Sequence, residues 1–492
     1  MKLVGFLNLL FYSILAAAFF DKSSAFDLAR HGLEFDWRVV LVAFAHYVLV
    51  AVYVVVHKRG KRVLVDAYNM FLLLFSVLIV PGVMASAAIN DSIAPHLSFL
   101  LSGILFVLVG LAFEVVSPGT TSRAHLVTYR QSLPRSTAAT FFTVLLLLLV
   151  IVLATGNFNR AGAYHAIAGL FLGGDSTEVG AVASYRSEVY NNWGAKEVIG
   201  NYAGNVFGAF FALLLFSHFW ALGRQSGRAV FLILAVAVAS FPILFALGTG
   251  SRLMLLRTIL LYIVFMTLPK GLKLLDWRLL QFFALAFAIL ILSTTILGRG
   301  IQGETFEENL VIQTEKSIAR LFLGKGGSTM VVYDYYPRVE DFELAVPILE
   351  RLSGLEIDDE PSVAVKIFAY LTNNKLGTAG PQSFGDLYAS FGYVGQLIGS
   401  IVIAILLLSI RKFYCRSPNK SSVDRALWAY VVVAVGYTGY SDVGSFRAIG
   451  LFYILIGYFL LRLAGDRKRR VLAPGHRQPR FDEPVADGKG TD

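Results

Sequence analysis

The 492-residue chain has one cysteine, Cys415, which excludes both a disulfide framework and a thiolate metal centre. Charge is scarce as well. Asp, Glu, Lys and Arg make up 15% of the residues, against about 25% in ordinary soluble domains. No Walker A, HExxH, CxxC or nucleophile-elbow pattern occurs, and the "GKGGST" at 324–329 has the wrong glycine-to-lysine spacing for a P-loop. No segment reads as a separate soluble domain.

What remains is apolar. Hydrophobic residues make up 56% of the chain, in recurring runs each long enough to cross a hydrocarbon core of about 30 Å. Spans are expected near 3–20, 37–56, 64–88, 96–116, 137–155, 198–221, 229–247, 251–268, 279–297, 385–410, 427–441 and 449–463. The net charge of +10 suggests a nucleic-acid partner only until its distribution is read. With the N-terminus inside, "HKRGKR", "RAHLVTYRQSLPR", "GRQSGR", "PKGLKLLDWR" and "RKFYCRSPNKSSVDR" all fall on the cytoplasmic side, as does the tail opening "RLAGDRKRR". That is the pattern of the positive-inside rule. The expected architecture is an all-α polytopic membrane protein of about twelve transmembrane helices with both termini cytoplasmic. Residues 1–463 form one membrane domain, and 464–492 a disordered tail. Two large external loops interrupt it, 156–197 and 298–384, and loops of that length are usually functional. There is no internal repeat of the kind that marks inverted-repeat transporters.

The polar seam "GTGSRLMLLR" at 248–257 falls at the outer turn between two spans. Arg252 is placed at the interface and Arg257 about 7.5 Å deeper, at 1.5 Å per residue. An intramembrane arginine faces the bundle interior or a wet cavity and marks a functional site, or else snorkels to the surface. Arg186, Arg320 and Arg447 also fall on the outer side. Arginine is the residue that holds a phosphate through two parallel hydrogen bonds, and the phosphate expected there is on a lipid. Three carboxylates near external span ends, Glu188, Asp386 and Asp442, are candidates for a general base. Each also has a structural reading: Asp386 as a helix N-terminal charge, Glu188 as an ion-pair partner of Arg186. Tyr388 is an aromatic candidate for sugar stacking or for an interfacial belt. Glycines at 200, 204 and 208, and at 395 and 399, have the four-residue spacing of close helix packing. No metal cluster and no cofactor are expected.

These residues carry a resemblance. "GTGSRLMLL" at 248–256 resembles the Ser-Arg element of membrane enzymes that handle undecaprenyl-pyrophosphate-linked glycans. "GPQSFGDLYASFGYVGQLIGS" at 380–400 is similar to the stretch after the large external loop of bacterial oligosaccharide repeat-unit polymerases, the Wzy type. "SIARLFLG" at 317–324 and "SFRAIGLFY" at 445–453 sit where that family carries arginines. The resemblance implies a GT-C-like helical fold in the bacterial cytoplasmic (inner) membrane. It implies en bloc transfer of a lipid-linked glycan donor onto a lipid-linked acceptor at the outer face, building O-antigen, capsule or exopolysaccharide. Arg252, Arg320, Arg186, Arg447 and Arg257 would then bind the pyrophosphate, with a chain-length regulator and a flippase as partners and no nucleic acid. Two alternatives stand beside it: a ligase of the same superfamily, and a lipid-linked oligosaccharide transporter.

Overall fold

The computed structural model describes residues 35–57, 62–63, 65–117, 128–129, 135–156, 199–201, 203–248, 252–268, 272–273, 324–342, 363–372, 380–415, 419–420 and 422–441. Among the described residues the regular structure is helical apart from four two-residue strands. Six helices are long and apolar enough to cross a membrane: Trp37–His57, Ala67–Met84, Ala94–Val116, Ile199–Ser226, Ala229–Ala246 and Ser383–Cys415. Two shorter apolar helices accompany them, Ala138–Ala154 and Arg257–Thr267. The expected spans near 3–20, 279–297 and 449–463 lie outside the described residues.

In chain order the helices are α1 (Trp37–His57), α2 (Ala67–Met84), α3 (Ala94–Val116), α4 (Arg135–Ala154), α5 (Ala209–Ser226), α6 (Ala229–Gly248), α7 (Arg252–Thr267), α8 (Lys325–Tyr335), α9 (Val363–Thr372), α10 (Ser383–Cys415) and α11 (Ser422–Gly436). Local chemistry sets their ends. Asp36 opens α1 by accepting the Arg38 backbone N–H at 2.7 Å; the Arg38 guanidinium beside it holds the carboxyl down to about 2. Asp66 caps α2 by accepting from the Asn69 N–H at 2.8 Å, which satisfies a donor the first helical turn leaves orphaned. Gly227, at φ 67°, ends α5 in the left-handed conformation that glycine adopts without penalty. Arg425 closes α7, its Nε and Nη2 both donating to the Phe265 carbonyl at 2.9 and 2.7 Å.

The helices form two packed groups. One core gathers α1, α2, α3, α8, α9 and α10 around Phe71, Phe75, Phe99, Phe106 and Phe384. The other gathers α4, α5, α6, α7 and α11 around Leu213, Phe245, Phe265 and Val432. Ile410, Val431 and Tyr440 pack against both. Only a third of the crossing windows of α1 and α6 is buried, so these helices turn most of their apolar surface outward. The glycine spacing at 204 and 208 is explained by packing: a methyl at Gly204 would come within 2.5 Å of the Phe245 ring, and one at Gly208 within 2.4 Å of Phe241.

The short connections gather at one end. Strand β1 (Arg62–Val63) pairs antiparallel with β3 (Leu272–Lys273), and β2 (Thr128–Tyr129) pairs parallel with β4 (Asn419–Lys420). These segments belong to the connections richest in Lys and Arg, so we call this the basic end. Just inside it, the four helices α1, α2, α3 and α10 meet at Arg411, which is 1% exposed. Its guanidinium reaches Asp66 at 2.6 Å and Glu114 at 2.7 Å. Removing one partner from such a buried arrangement strands charge in a low dielectric and costs about 3–5 kcal/mol.

Two features depart from the span pattern. The crossing expected over 385–410 is broken at Gly392, whose φ of 65° and ψ of −164° end one helix and start another. The two arms fold back on each other: a methyl at Gly399 would lie 2.5 Å from Leu387 Cδ1. Gly395 and Gly399 therefore face their own helix, Phe391 and Leu387 respectively, rather than a neighbouring one. The spanning arm is 393–415, and it carries Arg411 into the core instead of leaving it in a cytoplasmic loop. The second departure is α8. Expected inside an external loop, it is buried in the bundle, and a methyl at Gly326 would strike the backbone at Ile79, Gly82 and Val83 within 2.5–2.7 Å.

Candidate functional site

The folded-back arm of α10 brings backbone to about half the height of the helix bundle. Phe384, at its tip, packs on Phe71, Phe75, Phe99 and Phe106 with ring centres 5.3–6.4 Å apart. Phe106 is halfway along α3, so the arm's N-terminus lies near mid-depth. Helix α11 stops at the same level. Its last turn, Tyr437–Gly439, is tightened to a 3₁₀ turn, and a methyl at Gly439 would meet the Phe71 carbonyl oxygen at 2.3 Å.

Two broken helix ends in an apolar layer must satisfy each other's polar groups, and they do. The Ser383 N–H donates to the Ser441 carbonyl at 3.0 Å. The Ser383 hydroxyl reaches the carbonyls of Thr438 at 2.8 Å and Ser441 at 2.9 Å. Gln382 Oε1 accepts from the Phe384 N–H at 2.7 Å, capping the arm, and its own N–H donates to Thr329 Oγ1 on α8 at 2.9 Å. Gln382, Ser383, Thr329 and Thr438 are all fully buried.

Cations line this junction. Lys325, the first residue of α8, donates to the Gly380 carbonyl just before the arm and lies 6.0 Å from the Tyr440 ring centre. Arg257 of α7 sits 5.3 Å from the Tyr437 ring centre. The two rings are themselves in edge contact, 5.5 Å between centres. A chain Arg257–Tyr437–Tyr440–Lys325 therefore borders the broken helix ends, each cation resting on an aromatic face. Arg257 is partly exposed, and among the described residues it has neither a carboxylate nor a hydrogen-bond partner.

Asp386 lies in the first turn of the arm and is 1% exposed, deeper in the protein than a residue at an external span end. Tyr388 is buried, not part of an interfacial belt: its ring stacks on Tyr333 at 4.0 Å and its hydroxyl donates to the Tyr336 carbonyl at 3.0 Å. Arg252 opens α7. Arg186, Glu188, Arg320, Asp442 and Arg447 lie outside the described residues. Sequence reasoning missed Lys325, Gln382, Ser383, Tyr437 and Tyr440. The available signal was the polar, glycine-rich "TNNKLGTAGPQS" and "GYTGYSDVGS", flanking spans expected to be continuous.

No protein-family model, curated protein or solved structure matches this chain.

Proposed function

We propose that this protein polymerises lipid-pyrophosphate-linked oligosaccharide repeat units at the outer face of a bacterial cytoplasmic membrane, through a GT-C-like bundle of twelve crossings. The observation that carries this reading is Arg257: an arginine on an apolar helix, resting on Tyr437, with no anionic partner among the described residues. A planar guanidinium so placed suits a phosphate that arrives on a lipid and binds through two parallel hydrogen bonds.

In the proposed reaction a hydroxyl of the acceptor glycan attacks the anomeric carbon of the donor. The new glycosidic bond forms as the bond from that carbon to the pyrophosphate oxygen breaks. The bonding pair leaves with the lipid pyrophosphate, and the hydroxyl proton passes to a carboxylate, for which Asp386 is our choice. Arg257 and Arg252, with Arg186, Arg320 and Arg447, offset the charge that develops on the leaving group, as preorganised donors do in a poorly solvated site.

A second reading, transport of the lipid-linked glycan, draws support from the break in α10 beside the end of α11. Discontinuous helices at mid-depth also form transporter binding sites. Incubation of the purified full-length protein in vesicles with lipid-linked repeat units separates the readings. A product ladder supports polymerisation, and transfer to a different acceptor means a ligase. Movement of unchanged substrate across the vesicle means transport.

A further inference from the structure

The stretch 198–275 contains no Asp or Glu, and the turn 224–228 between α5 and α6 carries two arginines. That turn lies at the basic end. Helix α7 runs into β3 there, and α6, joined to α7 at its far end and bonded to it from the Tyr262 hydroxyl to the Ala239 carbonyl at 3.3 Å, starts there. At the same end the strand register sets Arg62 opposite Lys273, and like charges at opposed positions repel. Cations therefore gather here without acids beside them in sequence.

The arginines of the turn are not simply solvated. The Arg224 guanidinium carbon lies 5.3 Å from the Trp220 ring centre. Phe216 packs on Trp220 at 5.7 Å and meets Tyr262 of α7 edge-on at 5.7 Å, so Phe216, Trp220 and Arg224 form a ladder along one face of α5. Resting on a ring face leaves the N–H edges of a guanidinium available, and among the described residues Arg224 has neither a carboxylate nor a hydrogen-bond partner. Arg228 is exposed and also lacks a carboxylate among the described residues; its backbone N–H donates to the Ser226 hydroxyl at 3.4 Å. Beyond it α6 exposes Val230, Ile233 and Val236, so surface suited to hydrocarbon begins just after the second cation. Topology alone accounts for the sign of these residues, but not for the stacking of Arg224 on Trp220.

We propose that the α5–α6 turn binds an anionic membrane lipid in the leaflet at the basic end. The headgroup phosphate accepts from the Arg224 and Arg228 guanidinium groups. Trp220 holds Arg224 at headgroup depth, and the acyl chains lie along the outward face of α6. A zwitterionic lipid has the same phosphate but brings its own cation, so the site selects headgroups of net negative charge. No covalent bond is made or broken, and the inference stands independently of the glycan reading.

The test is native mass spectrometry of the purified full-length protein in neutral detergent, titrated with phosphatidylglycerol or phosphatidylcholine, with inorganic phosphate as a competitor. Wild type should bind phosphatidylglycerol several-fold more tightly than phosphatidylcholine. The double variant Arg224→Gln, Arg228→Gln should bind phosphatidylglycerol about 25-fold more weakly, roughly fivefold for each basic residue lost beside an anionic headgroup, with phosphatidylcholine binding nearly unchanged. Trp220→Leu alters no charge, yet it frees Arg224 and should weaken phosphatidylglycerol binding several-fold. Equal wild-type affinity for the two lipids, or wild-type phosphatidylglycerol binding by the double variant, overturns the proposal. Displacement of phosphatidylglycerol by inorganic phosphate at comparable concentration overturns it too, because the site then takes a free anion. If the double variant does not fold, Trp220→Leu decides: unchanged phosphatidylglycerol affinity refutes the site.

Discussion

Leu387 and Gly399 are in contact although twelve positions of nominal helix separate them, because the chain reverses at Gly392. In a continuous helix they would be about 18 Å apart at 1.5 Å per residue. The reversal carries Ser383 to mid-depth, where it meets the end of α11.

The glycines around this reversal should respond unequally to alanine. At Gly399 the added methyl meets the far end of the Leu387 side chain, which can rotate away. At Gly326 it meets backbone of α2, which cannot. Gly399→Ala should therefore cost at most about 1 kcal/mol, at the low end of overpacking, and Gly326→Ala about 3 kcal/mol or more. Melting of the purified protein in detergent checks this, and equal losses would contradict the packing described here.

Arg257→Lys keeps the charge on α7 but removes the planar fork. Loss of one charge-assisted hydrogen bond costs about 1.5–3 kcal/mol, or about 10- to 150-fold in rate if the bond tightens in the transition state. Arg257→Ala should cost more, and Arg252→Lys should behave like Arg257→Lys. Polymer ladders are compared at matched membrane abundance. Wild-type ladders from both Arg257 variants would remove the arginine from the pyrophosphate.

Arg411→Met leaves Asp66 and Glu114 buried without their cation, and stability should fall by about 3–5 kcal/mol. Adding Asp66→Asn and Glu114→Gln to the same protein should restore much of that loss, since the repulsion is then gone. Detergent melting curves and membrane abundance report both effects. An Arg411→Met protein as stable as the parent would mean the cluster is not held by charge.

Topology can be read with reporters active only in the cytoplasm. A fusion at Gly227, in the turn between α5 and α6, should be active; fusions at Asn90, Gly174 and Ser353 should be silent. Activity at Gly174 or Ser353 would place the expected external loops on the wrong side.

Hydropathy made the helical membrane class legible, and glycine spacing foretold the contact of 204 and 208 with α6. What sequence concealed were breaks inside apolar stretches. "FGDLYASFGYVGQLIGS" has the composition of one helix, and only the backbone at Gly392 shows that it is two. Arg411 was concealed for a related reason. It begins the basic "RKFYCR" and reads as the start of a loop, because its counter-ions, Asp66 and Glu114, are hundreds of positions away. Local patterns report period and length; they do not report which distant residue supplies a partner.

That distance has a consequence in time. Arg411 is separated from Asp66 by 345 positions and from Glu114 by 297. At about 5–20 residues per second of synthesis, some 15–70 s pass between the emergence of these acids and that of the arginine. Throughout that interval α1, α2 and α3 hold two carboxylates and His57 at the basic margin of the membrane without the cation that completes them. Until α10 arrives, water or the insertion machinery must stand in for a side chain the ribosome has not yet made.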